Sequence, residues 1–160
     1  MIPIEIEKPT TKFEPRGGVP IQRIVVHDTA GSMPGCLDWL QIDRPGTADN
    51  VSIHVLVTKY GDIFRLVPDE MMAWHCRGYN SISLGIEMER ARDDEDGPYP
   101  ESQLEAAAAW IAVKCVQYGI PLNKVHAHAE LDPGRRRDPR NFPWEPFLIR
   151  VAEIILNART

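Results

Sequence analysis

The chain has 160 residues, 43% of them hydrophobic and 26% charged, and a net charge of −5. That length suits one domain able to bury a core unaided, and the composition is ordinary for a globular protein, which argues against disordered and membrane-embedded classes. The acidic balance leaves no basic stripe to neutralise phosphates, so a nucleic-acid partner is not expected.

In chain order, residues 1–20 carry Pro3, Pro9, Pro15 and Pro20 with Gly17 and Gly18. They read as an extended N-terminal arm ahead of a domain over 21–160. Ile21 to His27 is a β-branched run and predicts a buried strand. Residues 31–46 hold Cys36, Leu37, Trp39 and Leu40, which predict a short helix between loops. Val51 to Thr58 and Asp62 to Val67 flank Lys59, Tyr60 and Gly61, a hairpin pattern. Leu84 to Glu89 alternates with period two, so Glu87 and Glu89 are expected on one face of a strand. Asp93 to Gly97 predicts a solvated acidic turn.

Pro100, Glu101 and Ser102 start a helix that runs through Leu104 to Tyr118 and stops at Gly119. Lys124 to Ala127 suits one more strand. Trp144 to Asn157 places Phe147, Leu148, Val151, Ile154 and Ile155 at helical spacing. Strands mixed with helices predict a single α/β domain, with a central mixed β-sheet of about five or six strands flanked by helices. Cys36, Cys76 and Cys115 include no Cys-x-x-Cys pair and read as free thiols. No apolar stretch approaches membrane-spanning length, so membrane insertion is not expected. The first eight residues show no basic segment followed by an apolar run, so a cytoplasmic start is expected.

The chemistry starts from His27, at the end of its strand. A hundred residues on comes His126-Ala127-His128, and Asp138 lies on the loop between Pro133 and Pro139. Two imidazoles and a carboxylate brought together make a three-ligand site with one open position, the arrangement in which zinc activates water. In an extended segment His126 and His128 point the same way, which leaves the choice between them open. Taken singly, His27 also suits a hydrogen-bonded core position and Asp138 a turn before proline. A carboxylate on a central strand is costly to bury without a task or a partner. Glu87 therefore suits a base beside a metal, or an ion pair with an arginine, and Glu89 competes for the same role. Arg135, Arg136, Arg137 and Arg140 suit the lining of an anionic substrate site.

Five ordered blocks carry a resemblance: Ile24 to Ala30, Val51 to His54, Ala73-Trp74-His75, Ser83 to Glu89, and His128 through Pro139. Over roughly residues 21 to 145 the chain resembles the type 2 N-acetylmuramoyl-L-alanine amidases. That superfamily includes peptidoglycan recognition proteins, short phage endolysin amidases and bacterial muropeptide amidases. The resemblance implies their fold, with residues 21–160 as a zinc amidase domain. It also implies hydrolysis of the amide between the lactyl group of N-acetylmuramic acid and L-alanine of the stem peptide.

By that resemblance the Zn2+ ligands map onto His27, His128 and Asp138, and the catalytic glutamate onto Glu87. Arg136 stands where members with an aspartate ligand usually carry an oxyanion-stabilising lysine. It keeps the charge with a different geometry. Ile53 stands where many phage enzymes have a catalytic tyrosine. His75 matches a position at the substrate cleft, and Trp74, Arg77 and Asn80 are expected along the peptide groove. His54 is open between a cleft-lining and a core role.

The expected partner is peptidoglycan or a soluble muropeptide, bound by a monomer. A phage or prophage endolysin, cytoplasmic until released to the cell wall, is the leading expectation for biological role. A cytosolic muropeptide-recycling amidase is the alternative, and a non-catalytic peptidoglycan-binding module a third.

Overall fold

The structure is a computed structural model and describes residues 3–94 and 97–158. Among the described residues there are eight strands: β1 (Glu5–Glu7), β2 (Phe13–Pro15), β3 (Arg23–Asp28), β4 (Val55–Val57), β5 (Ile63–Arg65), β6 (Met71–Ala73), β7 (Ser83–Met88) and β8 (Val125–Ala127). The helices are α1 (Gly35–Gln41), α2 (Glu101–Tyr118), α3 (His128–Leu131) and α4 (Trp144–Asn157). Six strands form one mixed sheet in the order β1-β5-β4-β7-β3-β8, and β2 pairs with β6 in a small second sheet. Only the expected hairpin, β4 with β5, is antiparallel within the main sheet; the other pairings are parallel.

Strand alternation divides the main sheet into two faces. Ile24 and Val26 of β3, Val55 and Val57 of β4, and Leu84, Ile86 and Met88 of β7 join Trp110, Ile111, Phe147 and Val151 in one core. Each such side chain, fully buried, contributes about 1.5–3 kcal/mol. The long helices α2 and α4 therefore cover one face. On the other, Leu56 packs with Cys36, Leu37 and Leu40 around the short α1, which covers only part of the surface. His27, Gly85 and Glu87 alternate onto this second face. The stop expected at Gly119 is a left-handed cap with φ 65°, a conformation glycine adopts without a Cβ penalty.

All three cysteines are buried and free. No helix among the described residues is long and apolar enough to cross a membrane. Asp94 of the acidic turn pairs with Lys59 at 2.7 Å, while Glu95 and Asp96 lie outside the described residues.

The segment expected as a separate arm is extended but built into the body. β1 pairs with β5 at the sheet edge and β2 with β6. Arg16, 6% exposed, anchors it. Its guanidinium donates to the carbonyls of Asp69, Asn80, Ser81, Met71 and Ser83 at 2.7–3.2 Å. A planar fork of five N–H donors suits a ring of carbonyls as an ammonium does not. Arg16→Ala is therefore expected to cost about 3 kcal/mol or more, since it strands several buried acceptors. Arg16→Lys should restore only part of this. Urea midpoints of the three proteins check the order, and an Arg16→Ala midpoint equal to wild type would refute it.

Candidate metal centre

His27 lies near the end of β3, directly across from Glu87 on β7 in the parallel register. On its other side β3 pairs with β8, where Val26 faces Ala127. His128 follows at once as the first residue of α3. The strand thus ends between the two candidate histidines, and the expectation that both point the same way fails because the backbone turns helical there. His126 pairs with Glu130 at 2.8 Å, whereas His128 is buried against the end of β3.

Asp138 closes the group. Its Oδ2 lies 3.1 Å from Nδ1 of His27 and 3.0 Å from Nδ1 of His128. One donor atom from each of the three residues lies within 4.8 Å of the others. Two bonds hold the loop in place. The Ala129 N–H donates to the Asp138 carbonyl at 2.9 Å, and the Arg140 N–H donates to the Asp28 carboxylate at 2.9 Å. Two imidazole nitrogens with one carboxylate oxygen suit zinc, whereas magnesium and calcium prefer oxygen throughout.

The charges are arranged for ligation. Burial pushes the His27 imidazole down to about 4 against the opposing pull of Asp138, so the ring is neutral near pH 7. Burial alone would raise Asp138, but the His128 and His27 imidazoles against it outweigh that and hold the carboxyl below its usual range. A neutral imidazole and an ionised carboxylate are the forms that bind a metal.

Glu87 differs from Glu89 although the two are close in sequence. β7 ends at Met88, and the Glu89 carboxylate accepts the N–H of Met33 at 2.8 Å and of Lys59 at 2.9 Å, tying two loops together. Glu87 Oε2 is buried with no hydrogen-bond partner among the described residues. Burial, then the carboxylates of Asp138 and Asp28, push its pKa well above the ordinary value, with Arg136 opposing. A carboxyl with a raised pKa beside three metal-type donors is suited to acid–base chemistry.

A cleft of about 750 Å³ opens over these residues. Arg135, Arg136, Arg137 and Arg140 all line it, as expected for an anion site, and Arg92 joins them. Trp39 of α1 also lines it, 44% exposed, with the Arg44 guanidinium 3.9 Å over its ring. Neither Arg92 nor Trp39 was legible as a cleft residue; the exposed tryptophan in a short helix is the one signal that points to it.

Residues expected to touch substrate separate. His54 does not line the cleft: it is fully buried, its Nδ1 accepting the Gly85 N–H at 2.9 Å and its Nε2 facing Met71 O and Arg16. Both faces of β4 and its approach are covered, so the core role holds for this histidine. Asn80 uses Oδ1 to accept the N–H groups of His75 and Cys76 at 3.0 and 2.7 Å. His75 lines the main cleft, as expected, and stands against His27, its Nδ1 3.0 Å from His27 Nε2. Trp74 and Arg77 line a smaller side pocket of about 170 Å³, with Asn80, His75 and Arg136.

Comparison with known proteins places the chain in a family. Residues 17–141 match the family model described as N-acetylmuramoyl-L-alanine amidase. The chain is 32% identical over 147 residues to N-acetylmuramoyl-L-alanine amidase AmiD of Escherichia coli, covering 78% of this chain and 51% of that protein. It is 29% identical over 106 residues to 1,6-anhydro-N-acetylmuramyl-L-alanine amidase AmpD of Citrobacter freundii, covering 61% of this chain and 55% of that one. The chain thus spans about half the length of these relatives. A solved complex of Escherichia coli AmiD with the substrate anhydro-N-acetylmuramic acid-L-Ala-D-gamma-Glu-L-Lys superposes with TM-score 0.72 at 28% identity, covering 86% of this chain and 58% of that one.

The environment of Glu87 predicts a pH effect on the metal-free protein. A carboxyl whose folded pKa is raised contributes stability below its unfolded value, 4.5, and that contribution is lost as the pH rises through the folded value. Metal-free Glu87→Gln should therefore melt at a higher temperature than wild type at pH 7, with the gap closing toward pH 4. Thermal melts across that range check it. Equal melting temperatures at pH 7 would show that the buried charge is not a burden.

Proposed function

Because the chain belongs to the N-acetylmuramoyl-L-alanine amidase family, we propose that it hydrolyses the amide between the lactyl group of N-acetylmuramic acid and L-alanine of the stem peptide. In this reading His27, His128 and Asp138 hold a zinc ion. The observation that carries it is the convergence of those three donors beside Glu87, whose Oε2 is buried with no hydrogen-bond partner among the described residues. When bound, zinc supplies a Lewis acid that polarises the scissile carbonyl and lowers the pKa of water.

Glu87 takes a proton from the attacking water as the water oxygen bonds to the carbonyl carbon. It then returns that proton to the L-alanine nitrogen as the C–N bond breaks. Burial makes its carboxylate a stronger base than an exposed one. Arg136 lines the cleft and exerts its charge on both His27 and Glu87, which suits it to stabilise negative charge developing on the carbonyl oxygen. The remaining arginines of the rim meet the carboxylates of the stem peptide. Trp74 and Arg77 extend that groove.

Soluble muropeptides are the favoured substrate class. The relatives named above include an enzyme named for 1,6-anhydro-N-acetylmuramyl-L-alanine and one solved with an anhydro-muropeptide. These support muropeptide recycling at least as well as the endolysin role.

Mass spectrometry of digests of intact sacculi and of soluble anhydro-muropeptides identifies the bond cut and the preferred substrate together. Free stem peptide beginning with L-alanine is expected, faster from the soluble substrate. A zinc-loaded protein that leaves both substrates uncut would favour a binding module instead. Glu87→Gln should retain zinc while losing about 10²–10⁴ in kcat. His128→Ala should lose zinc and activity together. Arg136→Ala should lower kcat by about 10²-fold, with most of it restored by Arg136→Lys. Metal analysis beside steady-state kinetics separates the three. Zinc retained by His128→Ala, or full turnover by Glu87→Gln, contradicts the assignment.

A further inference from the structure

We propose that Tyr79, Ser83 and His75 form a one-directional hydrogen-bond relay that fixes the ring tautomer of His27, leaving its Nδ1 lone pair turned to the metal site. His75 and Ser83 are then positioning residues for a ligand rather than contacts for substrate. The proposal rests on the metal reading above for its purpose, but not for its geometry.

The direction is set at the far end. A backbone carbonyl cannot donate, and Ser83 Oγ lies 2.7 Å from Tyr79 O, so the one hydroxyl hydrogen goes there. Ser83 Oγ also lies 3.1 Å from His75 Nε2 and has only acceptor capacity left. Nε2 of His75 therefore carries the hydrogen. A neutral imidazole has a single N–H, so Nδ1 of His75 is an acceptor. It faces His27 Nε2 at 3.0 Å, which must then be the donor. His27 Nδ1 is left with a bare lone pair facing Asp138 Oδ2 at 3.1 Å, an arrangement of two donors to one cation rather than a hydrogen bond, so that Asp138 accepts a hydrogen from His128 alone. The reverse order would turn two lone-pair oxygens on each other at 2.7 Å between Ser83 and Tyr79. Metal-ligating histidines generally have the second ring nitrogen held in this way, though usually by a carboxylate, a carbonyl or water.

The relay sits in a seat built for it. Gly85, next to Glu87's neighbour Ile86 on β7, has no side chain, and a Cβ there would lie 2.6 Å from His75 Nδ1 and 2.7 Å from His75 Cγ. The imidazole packs directly on the strand backbone, edge-on to His27 at 82°. The His75 N–H is held by Asn80, and the carbonyls of Asn80, Ser81 and Ser83 by Arg16. The ring and the hydroxyl are thereby fixed at both ends of the loop.

The test reads tautomers and metal affinity. Long-range ¹H–¹⁵N correlation spectra of the metal-free wild type are expected to show His27 and His75 both in the Nε2–H form. Zinc affinity, from competition with a chromogenic chelator, should fall about 10–100-fold in His75→Ala and in Ser83→Ala. His75→Asn, whose Oδ1 stands near the place of Nδ1 and can accept from His27, should recover most of it. A merely structural role would not predict that recovery or the tautomer. His27 found as Nδ1–H in the wild type, or His75→Ala binding zinc as tightly as wild type, overturns the proposal. The wild-type spectrum needs no substitution, so a variant that fails to fold leaves the test intact. A wild type with the Nε2–H tautomer that takes up no zinc upholds the relay and sinks the metal reading instead.

Discussion

The parallel pairing of β3 with β7 sets His27 directly across from Glu87 at the middle of the sheet. What secures that register is apolar. Ile24 and Val26 on one strand, and Leu84, Ile86 and Met88 on the other, all point under α2 and α4. A slip of one residue would turn every one of them to the opposite face and drive His27 or Glu87 into the core. Burial worth several kcal/mol per strand thus enforces the spacing of two polar groups that contribute little to it. The chemistry of the second face is held by the hydrophobicity of the first.

The remaining members reach the site from distant segments, each tied by backbone bonds rather than by its own side chain. Asp138 is fixed through its carbonyl to Ala129, one residue past His128, so two donors move as a unit. Asp28, beside His27, accepts the N–H of Arg140 and brings that unit against β3. On the opposite side, Arg16 gathers five carbonyls and sets the loop that carries His75 and Asn80. Two buried imidazoles, His27 and His128, with half-buried His75, Glu87 and Asp138 beside them, disfavour the folded state on their own. A cation bound only by the folded chain would offset that cost.

Much of this was legible in the sequence. The mixed sheet apart from its edge strand β1, the hairpin at Lys59 to Gly61, both long helices and the stop at Gly119 follow from periodicity and turn residues, which are local. Glu87 stood out because a carboxylate in an apolar alternating run demands a reason. Other features were not legible, for physical causes. His126 and His128 were indistinguishable because nothing local marks the strand end at Ala127. Glu89 looked equivalent to Glu87 until two loop N–H groups claimed it. Arg16 lay in a proline-bearing stretch whose partners are 53 to 67 residues away, so its burial had no local sign.

By itself the sequence determined which segments become strands and helices, which faces are apolar, and which residue types are available for ligation and proton transfer. Those properties depend on neighbours within a turn or two of the chain. Only the tertiary structure decided which of these residues meet. It brought His27 to Asp138 across 111 positions, turned His54 into the core, and set the His75 ring against His27 at the wall of the cleft. The reason is that ligation and hydrogen bonding act over about 3 Å in space, and chain order does not set distances on that scale between segments a hundred residues apart.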